Sequence, residues 1–167
     1  MKKIGIISVE DSSAASDLPG ASNRERSNPP HRILVVDDDN DVRQLSVDLL
    51  VDSGYVVESA KDGAAGWEAL KTDGANIFDL IITDNIMPRM SGIEMIEKIR
   101  DARMSLPIIM VTRYLPAHAF ARKPWLRPDA TLERPCSNDD LLATVKKLLR
   151  AEDSYRAQMN MLLPKYL

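Results

Sequence analysis

The chain has 167 residues, with 22 Lys and Arg against 25 Asp and Glu, a net charge of −3, and 44% hydrophobic residues. That is the balance of one ordinary globular domain, with no basic excess to suit a general nucleic-acid or anionic-membrane binder. A single cysteine, Cys136, excludes a disulfide framework and a cysteine-based zinc site, and the two separated histidines, His31 and His118, argue against a histidine-rich one.

Residues 1–30 are rich in Ser, Ala, Asn and Pro and hold few large apolar residues after Val9, which predicts a flexible N-terminal tail. Lys2 and Lys3 precede a short apolar run, but it stops at Glu10-Asp11 with no cleavage site, so it does not read as a signal peptide. No stretch approaches the roughly 20 apolar residues of a membrane span, and a cytoplasmic protein is expected. Order is expected to begin near His31. Ile33-Leu34-Val35-Val36 is a β-branched run that stops at acids, as a buried parallel strand does. Val42, Leu45, Leu49 and Leu50 recur at helical spacing, and Gly54 closes that helix. Tyr55-Val56-Val57 predicts a second strand, and Ala64, Trp67 and Leu70 a short helix.

Leu80-Ile81-Ile82-Thr83 predicts a third strand ending at Asp84. Ser91 can cap a helix that carries Ile93, Ile96 and Ile99 on one face. Ile108-Ile109-Met110-Val111 predicts a fourth strand with Thr112 at its end, and Ala130-Thr131-Leu132 a weaker fifth. Between them stand Pro116, Pro124 and Pro128, so the intervening helix should be short, broken or irregular. Ser137 with Asp140 resembles a capping box opening a helix with Leu141, Leu142, Val145, Leu148 and Leu149 on one face. After Glu152 the apolar residues (Met159, Met161, Leu162, Leu163, Tyr166) are scattered, which predicts a weakly packed or loose C-terminal extension over 152–167.

Strands separated by helical segments imply an α/β fold, a parallel sheet covered on both faces. Such sheets bind ligands beyond the carboxyl ends of their strands. The residues there are Asp37-Asp38-Asp39, Asp84, Thr112 and Glu133-Arg134. Clustered carboxylates repel unless a cation neutralises them, and Mg²⁺ suits them because it takes oxygen ligands and shares its shell with phosphate. A carboxylate in such a site can attack phosphorus, with Thr112 and Arg134 neutralising the transferred group. Asp37, Asp39 and Asp41 mimic the start of a calcium loop, but Val42 and Asp48 stand where glycine and glutamate are needed. A hydrolase with an aspartyl nucleophile after its first strand wants Thr or Val where Asp41 stands.

These stretches, with Asp84-Asn85-Ile86-Met87-Pro88, Met90-Ser91-Gly92 and Arg134-Pro135, closely resemble the receiver domain of bacterial two-component response regulators over about residues 31–151. The resemblance implies a flavodoxin-like, doubly wound, five-stranded parallel sheet. It implies a phosphoacceptor at Asp84, and Mg²⁺ held by Asp37, Asp38, Asp84 and the backbone carbonyl of Ile86. Thr112 would be the switch hydroxyl and Arg134 the phosphoryl-contacting cation. A histidine kinase or phosphotransfer protein would be the donor. The signal would leave by protein contacts around the fourth and fifth strands. The length of 167 residues leaves no room for a DNA-binding or enzymatic output domain beside the receiver, and no membrane partner is expected. The downstream protein is unnamed by the sequence, and a homodimer is left open. Two departures stand out. Arg134 replaces the family's usual Lys, a planar fork for a point charge, and Thr131 occupies the position of a frequent aromatic residue. They motivate a rival reading, an interaction module of the same fold that does not use phosphate. A Mg²⁺-dependent phosphohydrolase is a third.

Arg113, Arg122, Lys123 and Arg127 lie near Tyr114, Phe120 and Trp125. This mixture reads as core packing plus a protein-docking face rather than a nucleic-acid site. His118 reads as a surface residue and Cys136 as a small filler.

Overall fold

Four apolar runs and one weaker run each form a strand, all parallel: β1 (Arg32–Val36), β2 (Val56–Ala60), β3 (Leu80–Thr83), β4 (Ile108–Thr112) and β5 (Ala130–Glu133). Their order in the sheet is β2-β1-β3-β4-β5. The computed structural model describes residues 30–73 and 77–162. The N-terminal tail expected over 1–30 therefore lies almost wholly outside the described residues, as do Leu163 and Tyr166.

Side chains alternate across a strand, and here the alternation builds two cores. Leu34, Val36, Ile81, Ile108 and Met110 pack on one face. Helices α2 (Gly63–Asp73), α3 (Gly92–Asp101) and α4 (Ala117–Arg122) bring Leu70, Met95, Ile96, Ile99 and Phe120 to that face. Ile33, Val35, Leu80, Ile82, Ile109 and Val111 pack on the other, with Leu50 of α1 (Asn40–Asp52) and Leu141, Val145 and Leu149 of α5 (Asn138–Leu162). The fold is thus flavodoxin-like α/β, with its crossing of direction at β1, between β2 and β3.

Local chemistry sets the helix ends. Asp39 caps α1 by accepting from the amides of Asp41 (3.0 Å) and Val42 (3.2 Å), and Gly54, at φ +93°, lets the chain leave it. Ser91 and Glu94 form a reciprocal capping box on α3. Ser137 and Asp140 do the same for α5, through a 3.1 Å bond from the Asp140 amide to Ser137 Oγ and a 3.3 Å bond from the Ser137 amide to Asp140 Oδ2.

Two features differ from the sequence pattern. Leu45 is 70% exposed rather than core-facing. It sits about 140° around the helix from the buried Leu50, at 100° per residue. The last helix does not stop near residue 152 but runs on to Leu162. Its extension is pinned at the amino end of the sheet by Arg156 on Asp79 (2.9 Å) and Asp153 on His31 (3.2 Å), while Tyr155, Met159 and Leu162 stay exposed. The proline-rich segment is short and irregular as expected. Its one α-helix, α4, is followed by a 3₁₀ turn over Pro124–Leu126, with Phe120 and Leu126 buried beneath. No helix among the described residues is long and apolar enough to cross a membrane.

Candidate functional site

The carboxyl ends of β1, β3, β4 and β5 meet at one edge. Asp84 donates its amide to Val36 O (3.0 Å), and Arg134 donates its amide to Thr112 O (3.0 Å). These ladder bonds bring the expected residues together. One carboxylate oxygen from each of Asp37, Asp38 and Asp84 lies within 4.8 Å of the others. Asp37 is buried, Asp84 half-buried and Asp38 exposed, so the cluster opens to solvent on one side. Three hard oxygen donors in this spacing could hold a divalent cation such as Mg²⁺.

Arg134 ties the cluster across the sheet. Its Nη2 donates to Asp37 Oδ2, and its Nη1 stands 3.5 Å from Asp84 Oδ2. Burial pushes the Asp37 carboxyl above its ordinary value and the Asp84 charge adds to that. Arg134 and the Asp39 amide, 2.9 Å from Asp37 Oδ1, pull the other way without fully offsetting it. Thr112 is fully buried, and its hydroxyl has no hydrogen-bond partner. An orphaned buried hydroxyl carries a cost.

The loop after Asp84 is shaped by its own chain. Asp84 Oδ1 accepts from the Asn85 amide and, at 3.4 Å, from the Ile86 amide. Gly92 packs so closely that a Cβ there would stand 2.2 Å from Asp84 O. Ile86 is 57% exposed at the rim.

Three supporting residues escaped the sequence reading. Arg43 of α1 donates to Asp37 O at 2.6 Å. Asp62, after β2, caps α2 by accepting from the Ala65 amide (2.9 Å) and pairs with Arg89 in the loop after Asp84. Arg89 holds a left-handed φ of +63°. Burial would raise the Asp62 pKa, but the amides of Ala65 and Ala64 and the Arg89 guanidinium together take it below the usual range. Asp62 stands two residues beyond β2, much as Asp37 and Asp84 stand just beyond β1 and β3, and that signal could have found it. Thr131 lies exposed on β5, opposite Met110 of β4. Tyr114 and Trp125 are exposed, Phe120 is in the core, His118 is exposed, and Cys136 fills space beside the α1–α5 core.

A family model described as response regulator receiver domain matches residues 33–146. The chain belongs to this family. Among solved structures, the receiver domain protein (CheY-like) from Methanospirillum hungatei JF-1 is 30% identical, with a TM-score of 0.68 over 75% of this chain and 98% of that one. The response regulator protein TrrA from Thermotoga maritima, in complex with Mg²⁺-BeF, is 34% identical, with a TM-score of 0.59 over 71% of this chain and 98% of that one. Among curated proteins, the transcriptional regulatory protein DltR of Streptococcus agalactiae is 31% identical over 126 residues, covering 75% of this chain and 55% of DltR. The receiver spans about half the length, or less, of the curated relatives it matches.

Proposed function

We propose that Asp84 accepts a phosphoryl group in a Mg²⁺-dependent phosphorelay, from a histidine kinase or phosphotransfer protein, and that the change is read by another protein. The observation that carries this is the convergence of Asp37, Asp38 and Asp84 within 4.8 Å beside a bridging Arg134. Asp84 supplies the nucleophile, because its carboxylate is half-buried yet open to the rim. Asp37, Asp38, Asp84 and the Ile86 carbonyl would hold Mg²⁺, which supplies positive charge against the phosphoryl oxygens. The Mg²⁺-BeF complex of TrrA, a 34% identical relative, supports that assignment. Arg134 neutralises the phosphoryl group from the β5 side, and Thr112 is the switch residue whose unpartnered hydroxyl moves towards it. The test is incubation with acetyl phosphate and Mg²⁺, read by intact mass. One phosphoryl group is expected on the wild type and none on Asp84→Asn.

One observation favours a second reading. Arg134 already neutralises Asp37, so the cluster is partly charge-balanced without a metal. A phosphate-independent interaction module would bind its partner with the same affinity with and without Mg²⁺ and beryllofluoride. A shift in that affinity excludes it.

A further inference from the structure

Strand alternation places one more cation at this site. Val35, Ile82, Val111 and Leu132 all face the α1–α5 core. Two residues further along, just beyond the ends of β1, β3, β4 and β5, come Asp37, Asp84, Arg113 and Arg134. All four line one cavity of about 540 Å³ between the strand ends, α1 and α5. Thr112, the last residue of β4, does not line that cavity.

Arg113 is exposed and makes no hydrogen bond or ion pair among the described residues. Arg134, by contrast, is committed to Asp37. No Asp or Glu occurs from Ala102 to Pro128, so no nearby carboxylate in sequence competes for Arg113. The charge balance gives it a task. The carboxylates of Asp37, Asp38 and Asp84 are offset by Arg134 and a divalent cation, which leaves the site close to neutral. A dianionic phosphoryl donor then meets little net attraction.

We infer that Arg113 is a second phosphoryl-contacting cation, which draws the donor's phosphoryl dianion into the cavity and holds its oxygens as Asp84 attacks. The inference rests on the reading that Asp84 takes a phosphoryl group. With acetyl phosphate as the donor, an Asp84 carboxylate oxygen bonds to phosphorus as the bond from phosphorus to the acetyl oxygen breaks. The departing carboxylate keeps that electron pair, no proton moves, and charge balances. The guanidinium fork suits the peripheral oxygens, which keep their charge throughout.

The experiment follows phosphorylation by acetyl phosphate in wild type, Arg113→Ala and Arg113→Lys, at several ionic strengths. Arg113→Ala should lower the second-order rate about tenfold and flatten its dependence on salt, and Arg113→Lys should recover part of both. An exposed side chain with no partners leaves the urea midpoint unchanged, which separates this role from a structural one. If wild type is phosphorylated and Arg113→Ala matches it in rate and salt dependence, Arg113 has no such role and the Asp84 reading stands. If wild type takes no phosphate, both fall.

Discussion

Arg134 and Asp37 are 97 residues apart in sequence, yet the Nη2 of one donates to the Oδ2 of the other across the sheet edge. The same guanidinium stands 3.5 Å from Asp84 Oδ2. One side chain just beyond the last strand therefore links the carboxylates that follow the first and third. A metal held there as proposed would share those oxygens with it, so the fixed cation and the mobile one would compete for the same charge.

Replacing Arg134 with Gln should separate the two effects. Asp37 would be left buried without its ion pair, which should cost about 1–3 kcal/mol in urea unfolding without Mg²⁺. The vacated charge should tighten Mg²⁺ binding about tenfold, or about 1.4 kcal/mol, by calorimetric titration. Unchanged metal affinity would show that the guanidinium and the metal do not compete.

Thr112 should behave as a destabilising residue. Its hydroxyl is buried without a partner, and such a group costs about 1–2 kcal/mol. Thr112→Val should raise unfolding free energy by about that amount, while phosphorylation-dependent partner binding weakens. A loss of stability instead would mean the hydroxyl is satisfied.

Two glycines should respond differently to alanine. At Gly92 the new Cβ would meet backbone, Asp84 O at 2.2 Å, and the strain should cost more than about 2 kcal/mol. Gly54 has nothing within 4 Å, so only its φ of +93° is penalised, at about 1 kcal/mol. Urea unfolding of the two variants side by side reads this difference, and equal costs would refute it.

Acid should weaken the fold through Asp79. Burial pushes its pKa up, but the Arg32 amide, Arg156 and His31 together hold it below the usual range. A carboxylate depressed in the folded state stabilises above its unfolded pKa, and that contribution is lost as pH falls through about 4 and below. Asp37 acts in the opposite sense, because its folded pKa is raised and protonation relieves its burial. The urea midpoint of wild type should therefore drop between about pH 5 and pH 3, and Asp79→Asn should drop less. An equal drop in both would remove Asp79 from the acid response.

Much of this was legible because the strands are short apolar runs closed by acids. Ile33–Val36 and Leu80–Thr83 announce both the strand and the site residue beyond it. The prolines likewise foretold the irregular stretch around α4. What stayed hidden depends on contacts distant in sequence. Nothing local says that Asp62 will meet Arg89, or that Arg43 will reach back to Asp37 O. The long α5 was missed because its last turns bury almost nothing; Arg156 and Asp153 hold it through partners that only folding reveals.

The alternation that divides Arg113 from Thr112 has a wider consequence. Because the period is two, removing one residue within β4 would exchange them, bringing the hydroxyl to the cavity wall and turning the guanidinium towards the α2–α4 core. A substitution at either position changes one contact, whereas a single-codon deletion upstream rewires several. The site is thus open to variation in chemistry and closed to variation in length, so an engineer seeking to retune it has side chains to vary and no freedom in spacing.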